Sequence, residues 1–141
     1  MNIDKDEYEV LKFAYEEWAK INRIIATFSF LIIGFTIAGK ATHISVELLA
    51  PEQKESIRTA LVLFGLSGLA AGFNMCVAYI WMDAIRRNYK KSLIGKTVIG
   101  SYPAFCLKLG SLGWILSIFS ICSIIYGIYK LMDIALVYLA V

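Results

Sequence analysis

The stretch TALVLFGLSGLAAGFNMCVAYIWM, Thr59 to Met82, decides the fold. Its 24 residues carry no charge, and as a helix rising 1.5 Å per residue they cover about 36 Å, enough to cross a hydrocarbon core about 30 Å thick. Two other windows have the same character. Ile24 to Gly39 lies between Arg23 and Lys40, and Leu109 to Leu131 is free of charge until Lys130. The rest of the composition agrees. Of 141 residues, 59% are hydrophobic and 18% charged, against roughly 45 to 50% apolar usage in a soluble domain. The spans consume so much of the chain that no stretch remains for a separate soluble catalytic domain. The fold class expected is an all-α membrane protein with three transmembrane helices.

The expected layout is a single domain over 1–141: a cytoplasmic amphipathic helix over 1–23, spans over 24–39, 57–82 and 109–131, a basic cytoplasmic loop over 83–108, and an interfacial tail over 132–141. The N-terminal segment places Leu11, Ala14, Trp18, Ile21 and Ile25 at three- and four-residue spacing, which is helical periodicity. Asp4 with Glu7 three residues on reads as a helix start whose acidic charge suits the positive helix end. Pro51 suits the first turn of the second helix. Nothing from Trp81 to Tyr89 breaks a helix, so the second helix is expected to continue through Asp83 to about Lys91, after which Gly95, Gly100 and Pro103 mark a connection of about a dozen residues.

Orientation follows from the fourteen Lys and Arg residues. Ten fall before the first span or between the second and third (Lys5, Lys12, Lys20, Arg23, Arg86, Arg87, Lys90, Lys91, Lys96 and Lys108), and four fall elsewhere (Lys40, Lys54, Arg58 and Lys130). The positive-inside rule then places the N-terminus and the second loop in the cytoplasm, and the first loop and the C-terminus outside. The acidic start, Asp4, Asp6, Glu7 and Glu9, is unlike a secretory signal. Cys76, Cys106 and Cys122 are an odd set with no loop pairing, so no disulfide framework is implied.

In the third span, Gly110, Gly113, Ser117, Ser120 and Gly127 recur at positions a and d of a heptad. Such a face either packs closely against another helix or, in a ring of subunits, lines a water-filled path. Gly65, Gly68 and Gly72 in the second span include the GxxxG pair Gly68 to Gly72, a signal for close helix contact. Two small-residue faces exceed what one internal seam needs, which points to a homo-oligomer. Gly65, Gly68, Gly72, Gly110 and Gly127 are the expected oligomer-packing residues. Asn74 is the one strongly polar side chain deep in the second span and wants an interhelical hydrogen bond; with Ser117, Ser120 and Gly113 it forms the expected pore-lining or packing set.

Arg86, Arg87, Tyr89, Lys90, Lys91 and Lys96 mix basic and aromatic side chains. The mixture serves positive-inside anchoring and acidic-lipid contact, and it also suits an anionic nucleotide or oligonucleotide that is paired through phosphate and stacked through its bases. Catalytic signals are absent. Gly95-Lys96-Thr97 lacks the glycine that a phosphate loop needs at the place of Lys90, His43 stands alone without metal-ligand neighbours, and the second and third spans hold no carboxylate or base to relay protons. The chain is expected to be no enzyme and to use no cofactor or metal.

In layout, with its polar N-terminal helix, three spans and basic membrane-proximal segment, the chain resembles the small membrane effectors of bacterial anti-phage defence, the Hailong membrane effector in particular. The resemblance implies an oligomeric ion channel of the bacterial inner membrane, N-terminus cytoplasmic and C-terminus periplasmic, that disrupts membrane potential and is regulated by a nucleotide or oligonucleotide made by a partner nucleotidyltransferase. A second reading is a non-conducting membrane interaction protein, an immunity or complex-assembly subunit docking through the Leu11 to Ile25 helix. A phage holin is a third, although the apolar C-terminus lacks the charged tail of that class.

Overall fold

The computed structural model describes the backbone of residues 4–42, 50–94 and 102–139, and the side chains of 4–37, 50–94 and 108–133. The chain forms three helices, α1 (Lys5–Thr42), α2 (Pro51–Leu93) and α3 (Tyr102–Leu139). Each holds a segment long and apolar enough to cross a membrane: Lys5–Ile37, Pro51–Leu93 and Lys108–Asp133. At 43 residues, α2 is about 64 Å long, roughly twice the thickness of a hydrocarbon core.

The helices start and stop where the local chemistry dictates. The Asp4 carboxylate accepts a hydrogen bond from the Glu7 amide at 2.8 Å and so caps α1. Ala50 has no side-chain oxygen to do the same for α2. There the Gln53 side chain reaches back to accept the Ala50 amide at 3.0 Å, and Pro51 occupies a first-turn position whose amide would have no partner anyway. Lys90 and Lys91 sit in the last turn of α2, beside the negative helix end.

All three helices reach beyond their apolar windows. Helix α2 continues past its apolar window to Leu93, since nothing from Asp83 onward breaks it, and 102–108 is helical because Pro103 falls in the first turn of α3, where proline is tolerated. The stretch 132–139 extends α3, and α1 runs unbroken from Lys5 to Thr42. Gly95 and Gly100 lie outside the described residues.

Helix α2 is the centre. It packs antiparallel against α1 on one side and α3 on the other, while contact between α1 and α3 is sparse among the described residues and includes Trp18 against Gly113. The α1 line on α2 is Tyr8, Leu11, Tyr15, Trp18, Asn22, Ile25 and Ser29. This is a spacing of three and four throughout, as in knobs-into-holes packing. Of the apolar positions expected to form a stripe on α1, Ala14 and Ile21 are exposed.

Candidate functional site

The polar side chains of the spans converge between the helices rather than on their outer faces. Asn74 is fully buried, and its amide nitrogen donates toward the Asn22 carbonyl oxygen at 3.0 Å, the Gly113 backbone carbonyl at 3.1 Å and the Ser117 hydroxyl at 2.8 Å. Two N–H bonds serve three acceptors drawn from both neighbouring helices, so one of them is shared. The Asn22 amide nitrogen turns back to the Trp18 carbonyl at 2.9 Å. The Asn74 carbonyl oxygen is buried without a partner.

One and two turns deeper, serines take over. Ser67 donates to the Ser120 carbonyl at 2.9 Å, Ser120 donates back to the Ser67 carbonyl at 3.3 Å, and Ser29 reaches the Ser67 hydroxyl at 3.4 Å. Side chains that bond the backbone of a neighbouring helix require that helix to lie close. Three glycines provide that closeness. A Cβ built on Gly113 would fall inside the Trp18 indole, one on Gly127 would stand 3.1 Å from the Phe64 ring, and one on Gly68 would stand 3.1 Å from Phe30. Gly65, Gly72 and Gly110 differ, since a Cβ there meets nothing within 4 Å.

The expected sites therefore separate. Asn74, Gly113 and Ser120 are buried and Ser117 is half-buried, all inside a single chain. Gly68 and Gly127 are likewise occupied within the chain, while Gly65, Gly72 and Gly110 remain open toward the outside. Asn22, Ser29 and Ser67 belong to the same seam and were not singled out from the sequence. Ser67 carried a signal, since it falls one heptad before Asn74 on α2, whereas Asn22 and Ser29, one heptad apart on α1, lie among exposed polar residues.

At the other end of α2 the packing is aromatic. Tyr89 is half-buried and stacks on Tyr8 at 4.3 Å between ring centroids with the planes 9° apart, and Trp81 meets Trp18 edge-on at 5.9 Å. This leaves Tyr89 engaged rather than free to receive a base. Arg87 pairs with Asp83 at 2.7 Å, while Arg86, Lys90 and Lys91 are exposed on the helix. The acidic start of α1 lies alongside, because Tyr8 stands opposite Tyr89. Over 4–23 and 83–94 together, eight basic side chains stand among seven acidic ones, so the charges of these two segments nearly cancel. Lys96 and His43 lie outside the described residues. Among the described residues no cluster of three His, Cys, Asp or Glu side chains forms a metal-ligand set.

Comparison with protein-family models, curated proteins and solved structures finds no match. The functional reading rests on the geometry of the chain itself.

Proposed function

We propose that this protein is a multi-pass membrane protein that works through helix–helix assembly, as a homo-oligomer, and not through catalysis. One observation carries the reading: the glycines divide into a set filled within the chain and a set left open on its outside. Gly65 and Gly72 are one heptad apart on α2, with Leu69 and Cys76 exposed beside them, and Gly110 is open on α3. Lipid offers no hydrophobic drive for association, so small residues on an outer face are where a second helix approaches most closely. The double substitution Gly65→Ile with Gly72→Ile tests this directly, because both side chains enter space empty in the single chain. The expected outcome is a smaller particle by light scattering in detergent, with thermal stability of the unit unchanged. An unchanged particle size rules the interface out.

An ion-conducting assembly is the second reading, and it is favoured by the sparse contact between α1 and α3. Because contact between α1 and α3 is sparse among the described residues, a displacement of α1 would uncover the Asn74, Ser117 and Ser120 face. Currents in planar bilayers that change in Ser117→Leu support it; a silent bilayer with a folded, oligomeric protein opposes it. A nucleotide ligand, a partner nucleotidyltransferase and a role in anti-phage defence follow from the resemblance in layout alone, and the balanced charge around Tyr8 and Tyr89 does not add to them.

A further inference from the structure

The three helices do not agree on where a membrane ends. Asn74 stands opposite Asn22 on α1 and opposite Gly113 and Ser117 on α3. On α2 the charge-free stretch continues past that level to Met82, eight residues and about 12 Å further. On α3 it continues to Leu109, with Trp114 and Ile115 exposed near that level. On α1 it stops there: Arg23 adjoins Asn22, and Lys20, Glu17 and Glu16 follow within two turns toward the N-terminus. Charges on α1 thus share the depth at which α2 exposes Phe73, Tyr79 and Ile80.

Their direction compounds the mismatch. At 100° per residue, Glu16, Lys20, Arg23 and Thr27 fall within about a 60° arc, on the side of α1 opposite the Leu11, Trp18, Asn22, Ile25 and Ser29 face that packs on α2. All four are exposed. Lys20 pairs only with its own neighbour Glu17, at 3.7 Å, and Arg23 has no acidic partner among the described residues. Thr27, two residues before Ser29, carries the polar line close to the middle of the α2 stretch. Snorkelling brings Lys20 toward an interface, but Arg23 starts about 12 Å short of Met82, so even a core of about 30 Å measured from Thr59 leaves its backbone about 8 Å inside. Ionisable residues at such depth face a bundle interior or a water-filled cavity, not lipid.

We propose that the Glu16, Lys20, Arg23 and Thr27 strip of α1 borders water at the depth of the bilayer core, in an aqueous space enclosed by further copies of this chain. The enclosure rests on the assembly reading above. A single unit has nothing to hold water against the outer side of α1, whereas a ring of copies with α1 turned to the axis does. The ionic lining of any path is then α1, and the Asn74 and Ser120 seam stays a packing element.

Single cysteines decide the matter. In full-length protein with Cys76, Cys106 and Cys122 changed to alanine, Arg23→Cys and Thr27→Cys are compared with Ile80→Cys and Trp114→Cys in phosphatidylcholine–phosphatidylglycerol vesicles. The probe is a membrane-impermeant, positively charged methanethiosulfonate, and helicity is checked by circular dichroism. The strip positions are expected to react about ten-fold faster or more than the two controls, as solvent-accessible thiols do. Strip cysteines as slow as the controls overturn the proposal. So do controls as fast as the strip, because the bilayer then ends at the level of Arg23. If Arg23→Cys does not fold, Thr27→Cys, a small change on an exposed face, carries the comparison alone. Light scattering separates the two readings: an oligomer with shielded strip cysteines defeats only this inference, and a monomer defeats the assembly together with the enclosure.

Discussion

Along α2 the packing changes its chemistry between Ser67 and Tyr89. Around Ser67 the helices approach through glycines and serines, and side-chain hydroxyls reach the backbone carbonyls of the neighbouring helix. Around Tyr89 they are held apart by aromatic rings, with Tyr8, Leu11, Tyr15, Trp81 and Tyr89 gathered on Met82 and Ile85. The first arrangement suits lipid, where apolar area gains nothing by leaving its surroundings and close van der Waals and polar contact must do the work. The second suits water, where burying an aromatic face is itself favourable. Helix α2 thus carries two solutions, each matched to a different solvent, the first mainly toward α3 and the second toward α1, and the changeover falls near Met82, where its charge-free stretch ends.

The sharpest way to break this comparison is at Gly113. Gly113→Ala puts a methyl group into the Trp18 indole, and a rigid ring offers little room to yield, so a loss of about 2 kcal/mol or more is expected in reversible unfolding in mixed micelles. The same substitution in a Trp18→Ala background should cost much less, since the two share one contact. A smaller loss of about 1 to 2 kcal/mol is expected for Asn74→Ala, which frees acceptors on both flanking helices at once. Tyr8→Ala is expected to cost about 1 kcal/mol and to raise amide hydrogen exchange only in the first turns of α1 and the last turns of α2. Were Tyr8→Ala to cost more than Gly113→Ala, the aromatic end rather than the seam would be what holds the unit together.

Much of this was open to reading from residues alone. The charge-free run from Thr59 to Met82 specifies a spanning helix by length, and the line of Gly113, Ser117, Ser120 and Gly127 specifies a close face by size. Asn22 and Ser29 were harder to read, because on α1 they sit among Glu16, Lys20, Arg23 and Thr27, where a polar side chain looks like one more member of a solvated surface. Only the offset of α1 against α2 distinguishes the buried polar line from the exposed one. That offset is set by Trp18 entering the space at Gly113 and by Asn22 meeting Asn74, contacts between residues 52 or more apart in sequence. The length of α2 beyond its apolar window was legible for a simpler reason: apolar windows mark what suits a bilayer, whereas helix ends are set by caps and breakers, and none stands between Asp83 and Leu93.

Ser67 and Ser120 each donate to the other's backbone carbonyl, and a reciprocal pair of this kind limits how the helices can move. Sliding α3 along α2 by even one residue, about 1.5 Å, pulls both bonds from their acceptors together, so a piston stroke between these helices is opposed. Rocking about the clasp leaves both bonds in place. With contact between α1 and α3 sparse among the described residues, a tilt of α1 about its Asn22 and Ser29 anchors would leave the α2–α3 clasp in place, a lever with its fulcrum in the apolar core, its longer arm at the end that carries Tyr8 and the Tyr8–Tyr89 stack as its catch.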